Sequence, residues 1–195
     1  MDLKPVTLEG KRVRLDPLSM DQYEQLCQIG LNEALWRYSP TLVRSRADLQ
    51  KYIASSLEAQ QEGEVIPFVV FEKSSQALVG STRFLNINVA NKRVEIGATW
   101  IISAWQRTYV NTECKYLLLA HAFEKLGCVR VEFKTDSLNE QSRKALLRIG
   151  AREEGILRNH MVMPDGRLRH SVYYSILDSE WPEVKGLLEQ RMEPR

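Results

Sequence analysis

The stretch from Glu95 to Ala151 constrains the fold of this chain most, because several regular patterns follow one another within it. Residues 94–102 alternate between two faces, one with Val94, Ile96, Ala98, Trp100 and Ile102, the other with Glu95, Gly97, Thr99 and Ile101. A period of two residues predicts a strand. Helical spacing then links the apolar residues Leu119, Ala122, Phe123 and Leu126. Gly127 follows, so the sequence predicts a helix that ends there.

A second strand and a second helix complete this stretch. Apolar and polar side chains alternate over residues 129–136, which again predicts a strand. Asn139 is a candidate N-cap for a helix whose apolar stripe ends at Ile149, just before Gly150. Strand, polar loop, helix and strand together form a right-handed crossover unit. The whole chain predicts a mixed sheet with helices on both faces.

The loop that opens the first of these helices, residues 106–111, is a candidate anion site. A helix start directs several backbone N–H groups and the positive end of the helix dipole at one point, which suits a phosphate. Arg107 and Thr108 add a cation and a hydroxyl. An ordinary connection between a strand and a helix accounts for the same residues, and the residues alone favour that alternative. The loop has no glycine, so it is neither a Walker loop nor a Rossmann fingerprint.

A family resemblance changes this balance. The segment from Trp105 to Lys115 reads Trp-Gln-Arg-Thr-x-Val-Asn-Thr-Glu-x-Lys and resembles the RimJ/RimL-like branch of the GNAT N-acetyltransferases. Matches continue in order through 130–136, Asn139-x-x-Ser142, 154–158 and 174–182. The resemblance implies one GNAT domain over residues 1–195, an α/β fold (α+β in some schemes). Its mixed, mostly antiparallel sheet would have about seven strands, splayed between the fourth and the fifth.

The resemblance also implies where acetyl-CoA, the acetyl donor, would bind. The strand would part from its neighbour at a bulge and offer its backbone at Trp100, Ile101 and Ile102 to the pantetheine arm, and one N–H would polarise the thioester carbonyl. The pyrophosphate would lie on the loop formed by Gln106, Arg107, Thr108, Tyr109, Val110 and Asn111. Tyr109 and Asn111 stand where the family usually has small loop residues. We expect the tyrosine to restrict the backbone and to narrow the approach to phosphate.

Two carboxylates are candidates for the general base. Glu95 lies opposite the apolar row of its strand, where the resemblance to the histone acetyltransferase branch implies a catalytic glutamate. An ion pair with a lysine or arginine is the alternative role for Glu95. Asp136, at the end of the next strand, is the second candidate, and capping the following helix is its alternative role.

A general acid is harder to identify. Leu146 and Leu147 stand where many family members carry a tyrosine that acts as the general acid, so that acid is absent here. The Asn139-x-x-Ser142 spacing resembles the RimL-type branch and implies that Ser142 is the partner of the leaving thiolate and that both residues lie near the cofactor. A capping pair is the alternative, the two roles can coexist, and protonation of the thiolate by water stays open.

The acceptor side is less specified by the sequence. Trp36 and Tyr38 either wall the acceptor pocket, as the resemblance implies, or cover the edge of the core, and the two interpretations are equally weighted. The resemblance implies that the acceptor is a primary amine, on a protein N-terminus or a small molecule. The sequence does not select between these, because acceptor loops vary independently of the cofactor core. A non-catalytic CoA-binding or interaction module with the same fold is the alternative function.

Composition restricts the other partners. The formal net charge of +2 is too small to indicate nucleic acid, and no apolar run has membrane length. The three cysteines are widely separated, which predicts reduced thiols in the cytoplasm and no metal site. A homodimer is compatible with the sequence.

Overall fold

The computed structural model describes residues 1–193, which form one mixed sheet with helices on both faces. The strands are β1 Leu8–Glu9, β2 Val13–Pro17, β3 Ile66–Glu72, β4 Ala77–Asn88, β5 Arg93–Ile101, β6 Arg130–Asp136, β7 Arg152–Val162 and β8 Leu168–Leu177. The helices are α1 Tyr23–Gly30, α2 Arg46–Gln61, α3 Tyr109–Ala120, α4 Glu140–Arg148 and α5 Trp181–Met192. A π-helical turn, His121–Lys125, extends α3.

The predicted fold class is confirmed. The strand order is β1-β2-β3-β4-β5-β6-β8-β7, and within the described residues only β5 and β6 pair in parallel. Apart from the two-residue β1, the sheet has the seven strands expected from the sequence. The fourth and fifth of these are β5 and β6, which α3 connects as the predicted crossover.

β5 and β6 diverge shortly after they start to pair. Their register covers three residue pairs and ends at Glu95 and Glu132. β6 then continues in full-length pairing with β8, while β5 stays with β4 up to Ile101. The C-terminal part of β5, after Glu95, therefore has no strand on its β6 side. We call the wedge between residues 96–101 of β5 and residues 133–136 of β6 the splay.

A β-bulge in β5 corrects one sequence expectation. Ser81 pairs with Trp100 but Arg83 pairs with Gly97, so two residues of β5 lie opposite one residue of β4. Ala98, inside the bulge, has a φ of +46°. The extra residue reverses the alternation beyond it, because side chains point to opposite faces at successive positions. The assignment of Trp100 to the face of Val94 was therefore wrong.

The sheet separates two apolar cores. The larger lies under α3, α4 and α5 and contains Val94, Ile96 and Ile101. The smaller lies under α1 and α2 and contains Trp100. Side-chain caps fix the helix starts as predicted for Asn139, and also at Ser45 and Thr108. The three cysteines are free and buried.

Candidate active site

The splay exposes the backbone of one of the three residues predicted for the pantetheine arm. The N–H of Ile102 donates to the carbonyl of Val79 on β4 at 2.9 Å. Backbone groups of neighbouring strand residues point to opposite sides, so those of Ile101 point into the splay. There the carbonyl of Ile101 accepts from Gln106 Nε2 at 2.8 Å. Trp100 pairs with Ser81 on β4 instead.

The start of α3 faces the mouth of the splay. Thr108 is the N-cap: its Oγ1 accepts from the N–H of Val110 at 3.3 Å and donates to the carbonyl of Trp105 at 2.8 Å. Arg107 is exposed and adopts a φ of +61°, so the loop makes its left-handed turn there and not at Tyr109. The following backbone N–H groups, with the Arg107 cation beside them, form an arrangement that suits a pyrophosphate.

The side chain of Tyr109 is directed away from the splay. Its hydroxyl donates to Glu72 Oε1 at 2.7 Å, and the guanidinium of Arg12 lies 3.8 Å from the ring centroid. Glu72 ends β3, which lies on the opposite side of β5 from β6. Burial and the bond to Glu72 raise the pKa of Tyr109 to about 12. Burial opposes ionisation of Glu72, but bonds from Ser75 and Tyr109 lower its pKa to about 2.

The pair at the start of α4 forms the predicted cap. Asn139 Oδ1 accepts from the N–H of Ser142 at 3.1 Å. The half-buried Ser142 hydroxyl forms no hydrogen bond with residues 1–193. Gln141 Nε2 donates to Gln106 Oε1 at 3.4 Å and so joins α4 to the loop before α3. The capping role is thus observed, while contacts of Asn139 and Ser142 with a cofactor stay predictions.

Glu95 occupies the base of the splay, on the face opposite α3. Its residue is only 2% exposed, and its Oε2 accepts from Asn86 Nδ2 at 2.7 Å. Lys134 Nζ is 3.6 Å from the same oxygen, so the ion pair weighed as the alternative role is present. The carboxylate also borders a cavity of about 420 Å³. The other polar side chains of this cavity are Asn86, Asn88, Arg93, Glu132 and Tyr173.

Asp136 is the weaker candidate base. It is buried, and its oxygens accept from Arg167 Nη2 at 2.6 Å and from the N–H of Leu138 at 3.0 Å. Burial disfavours its charge, but the bonds from Arg167 and Leu138 hold its pKa below the usual range. The carboxylate thus orders the turn before α4, and Asn139, not Asp136, caps that helix.

The two aromatic residues predicted for the acceptor pocket separate in the structure. Trp36 is buried, its Nε1 donates to the carbonyl of Gly30 at 2.7 Å, and its ring packs on Tyr52 and Trp100. It covers core, as one of the two interpretations stated. Tyr38 is half-buried, and its carbonyl accepts from Arg169 Nη1 at 3.2 Å. Contact of either residue with an acceptor stays a prediction.

Lys115, on α3, also lies at the splay, although no role was predicted for it from the sequence. Its side chain is buried and its Nζ donates to Thr99 Oγ1, in the β5 bulge, at 3.0 Å. Thr99 Oγ1 is in turn 2.7 Å from Thr82 Oγ1 on β4. The sequence did carry a signal: Lys115 lies four residues before Leu119, so it continues the buried stripe of that helix.

Comparison with known proteins identifies the family. Residues 12–152 match the family described as the acetyltransferase (GNAT) domain. The chain belongs to this family. It is 25% identical to p20 of Bacillus licheniformis, an uncharacterized N-acetyltransferase, over 90% of this chain and 98% of that protein. The crystal structure of a GCN5-related N-acetyltransferase from Brucella melitensis is 29% identical and covers 98% of this chain and 87% of its own, with a TM-score of 0.91.

One further relative supports the RimJ/RimL-like branch, and one further solved structure shares the fold. YdaF of Bacillus subtilis, provisionally named a ribosomal N-acetyltransferase, is 34% identical over 56% of this chain and 58% of its own length. RimJ of Mycobacterium smegmatis, solved in complex with CoA-disulfide, shares the fold, with 22% identity, a TM-score of 0.83, and coverage of 97% of this chain and 96% of its own.

Membership of the family makes this protein an N-acetyltransferase, and the family uses acetyl-CoA as its acetyl donor. No helix within residues 1–193 is long and apolar enough to cross a membrane. No group of three or more His, Cys, Asp or Glu in the same residues could hold a metal ion.

Proposed function

We propose that this protein transfers an acetyl group from acetyl-CoA to a primary amine by direct attack within a ternary complex. The amine belongs to a protein N-terminus or to a small molecule. One observation carries the proposal: the carboxylate of Glu95 lies where β5 and β6 part and borders a polar cavity of about 420 Å³. An amine in that cavity would meet a thioester held in the splay.

Glu95 serves as the general base in this proposal. An amine is a nucleophile only when it is neutral, so the enzyme must remove one of its protons. Glu95 accepts that proton directly or through one water. Asn86 and Lys134 hold the carboxylate in place through its Oε2. Glu132, in the wall of the same cavity, pairs with Arg93 and Arg130 at 2.8 Å each, so Glu95 is the carboxylate that is placed to accept the proton.

The opposite face of the splay holds the donor. The pyrophosphate binds the N–H groups at the start of α3, with Arg107 and the Thr108 cap beside them. The remaining loop residues Gln106, Val110 and Asn111 and the adjoining Ile102 shape this region, and Trp100 supports the strand from the other face of the sheet. The N–H of Ile101 polarises the thioester carbonyl, since it points into the splay. Asn139 and Ser142 approach from α4.

A carboxylate-to-amide substitution tests the base. Glu95→Gln keeps the shape and can still accept from Asn86, but it removes the basicity. We expect turnover on an amine panel to fall about 10²- to 10⁴-fold, the usual contribution of a general base. Affinity for acetyl-CoA, measured by titration calorimetry, should be unchanged. The loss should shrink as pH rises, because more of the amine is then neutral.

Glu132→Gln is the matched control, since it makes the same change in the wall of the same cavity. Because Arg93 and Arg130 balance the charge of Glu132, this change should lower the turnover number far less than Glu95→Gln does. Normal turnover of Glu95→Gln at every pH would exclude Glu95 as the base, and Asp136→Asn would be the next variant to measure. Absence of turnover by the wild type on every amine, with acetyl-CoA bound, would contradict the proposed function.

A further inference from the structure

Lys115 is a buried charged group with few partners. The residue is 6% exposed, and its hydrogen bond to Thr99 is the only one that Nζ forms within residues 1–193. None of the carboxylates in these residues forms an ion pair with it. An ammonium carries three donors, and a buried ion without a counter-ion is costly. Two of its N–H donors therefore remain free to bind a ligand, and the apolar surroundings disfavour leaving them without an acceptor.

The position of Nζ relates this lysine to the splay. Thr99 lies in the bulge of β5, beyond the last pair that β5 forms with β6. Nζ also lies 5.8 Å from the ring centroid of Phe133, the first residue of β6 above that pair. The ammonium thus lies near both β5 and β6 at the splay, on the face of the sheet that α3 covers. Glu95 borders the splay from the opposite face, so the two charged groups flank the space between the strands.

We propose that Lys115 is the general acid of the reaction and gives its proton to the sulfur of the departing thiolate. This inference rests on the proposed direct transfer from acetyl-CoA. The amine nitrogen bonds to the carbonyl carbon, the carbon–sulfur bond breaks, and its electron pair stays on sulfur. Nζ then protonates the sulfur and becomes neutral, while Glu95 or water takes the proton lost by the amine. Water restores the proton of Lys115 before the next turnover.

The surroundings of Lys115 suit a proton donor. Burial lowers its pKa to about 8, against a smaller opposing effect of Cys114. From β4 and β5 it faces the hydroxyls of Thr82 and Thr99, which do not titrate in this range, and from β6 it faces a phenyl ring. An acid with a pKa near the working pH transfers its proton efficiently.

Two further titratable groups, on α3 and on the π-helical turn that extends it, complete the surroundings. Glu113 accepts from the backbone N–H groups of Arg12 and Val13, away from Thr99. His121 lies farther along the chain, against Phe84.

The first experiment titrates the thiol of CoA in its binary complex with the enzyme, by the ultraviolet absorbance of the thiolate. An ammonium beside the sulfur stabilises the thiolate, so the thiol pKa in the wild type should lie at least about one pH unit below that in Lys115→Met. Lys144→Met, an exposed lysine of α4, is the matched control and should leave the thiol unchanged. Equal thiol pKa values in the wild type and Lys115→Met would overturn the proposal.

The second experiment follows turnover against pH. The wild type should lose turnover as pH rises through about 8, because Lys115 then loses its proton. Lys115→Met should turn over about 10²-fold more slowly or worse, and without that decline. Lys115→Arg keeps the charge but does not release a proton in this range, so it should restore the low thiol pKa and not the turnover. Full turnover of Lys115→Arg would overturn the acid role.

Two outcomes separate this inference from the proposed function. A lowered thiol pKa in an enzyme that acetylates none of the amines would support the contact with sulfur and contradict the function. Acetylation of Lys115 itself, seen by mass spectrometry after incubation with acetyl-CoA, would overturn the inference, because an acetylated nitrogen has no ammonium proton to give. If Lys115→Met does not fold, the thiol pKa in the wild-type complex is compared with that of free CoA, and an equal value would overturn the contact with sulfur.

Discussion

The hydroxyl of Tyr109 bonds to Glu72 at 2.7 Å, on the side of α3 that faces away from the splay. The sequence led us to expect this tyrosine to narrow the phosphate site, whereas its side chain contributes to the junction between α3 and β3. We therefore expect Tyr109→Phe to lower the free energy of unfolding by about 1–3 kcal/mol, as for a hydrogen bond to a charged group. The acetyl-CoA dissociation constant should not change. Weaker binding at unchanged stability would show that the phenol contacts the cofactor.

Glu72 gives the same junction a pH dependence. Its pKa is about 2 in the folded protein against 4.5 for the free group, so its ionised form stabilises the fold. That contribution is complete above pH 4.5 and is lost as pH falls toward 2. Urea unfolding at pH 7 and at pH 3 should thus show a larger difference between the wild type and Glu72→Gln at pH 7. An equal difference at both pH values would mean that the charge of Glu72 does not stabilise the fold.

At the scale of elements, the bulge of β5 positions the residues of the splay. Gly80 on β4 packs so closely against this strand that a Cβ there would overlap the carbonyl oxygen of Trp100. Gly80→Ala should therefore destabilise the protein by about 1–3 kcal/mol, as overpacking does, and lower turnover by moving Ile101 and Thr99. Chemical denaturation and steady-state kinetics measure the two effects.

Gly186→Ala is the matched control for Gly80→Ala. Gly186 lies in α5, and apart from its chain neighbours and the backbone of its own helix no atom lies within 4 Å of the added methyl group. It should stabilise the protein by about 0.5–1 kcal/mol, because alanine favours the helix, and should leave turnover unchanged. If Gly80→Ala behaved like this control, β5 would be free to shift and the bulge would not fix the site.

The same strand shows what the sequence could and could not predict. Alternation predicted the strand, and helical spacing with Gly127 predicted the helix after it, because both patterns are local. The family resemblance implied a bulge in this strand, but the alternation did not locate it, because Ala98 adopts a left-handed φ without being a glycine. A strict period of two then placed Trp100 on the wrong face. For a related reason, the role of Lys115 was not predicted. A lysine interrupts the apolar stripe of a buried helix face, and only the fold shows that its partner is Thr99 on β5.

At the scale of the whole molecule, the proposed function divides the sheet into a donor side and an acceptor side. The family resemblance predicted the fold, since the order of its motifs follows the order of the elements. It did not predict the wall of the acceptor cavity, because Asn86, Arg93 and Tyr173 come from three strands that only the fold brings together. Which residues line such a cavity depends on register, and no motif within one segment encodes register between segments.

The division predicts where acetyl-CoA protects the backbone. A ligand that binds only the folded state slows every amide that exchanges through global unfolding by one common factor. The matching gain in the free energy of unfolding is about 2.7 kcal/mol when the ligand concentration is 100 times the dissociation constant. Within residues 96–101, the amides that point away from β4 have no partner strand and should exchange by local opening. Acetyl-CoA should therefore protect them, and residues 109–112 of α3, beyond any change in α1 and α2. Hydrogen exchange with and without acetyl-CoA measures this, and equal protection on the two faces of the sheet would contradict binding in the splay.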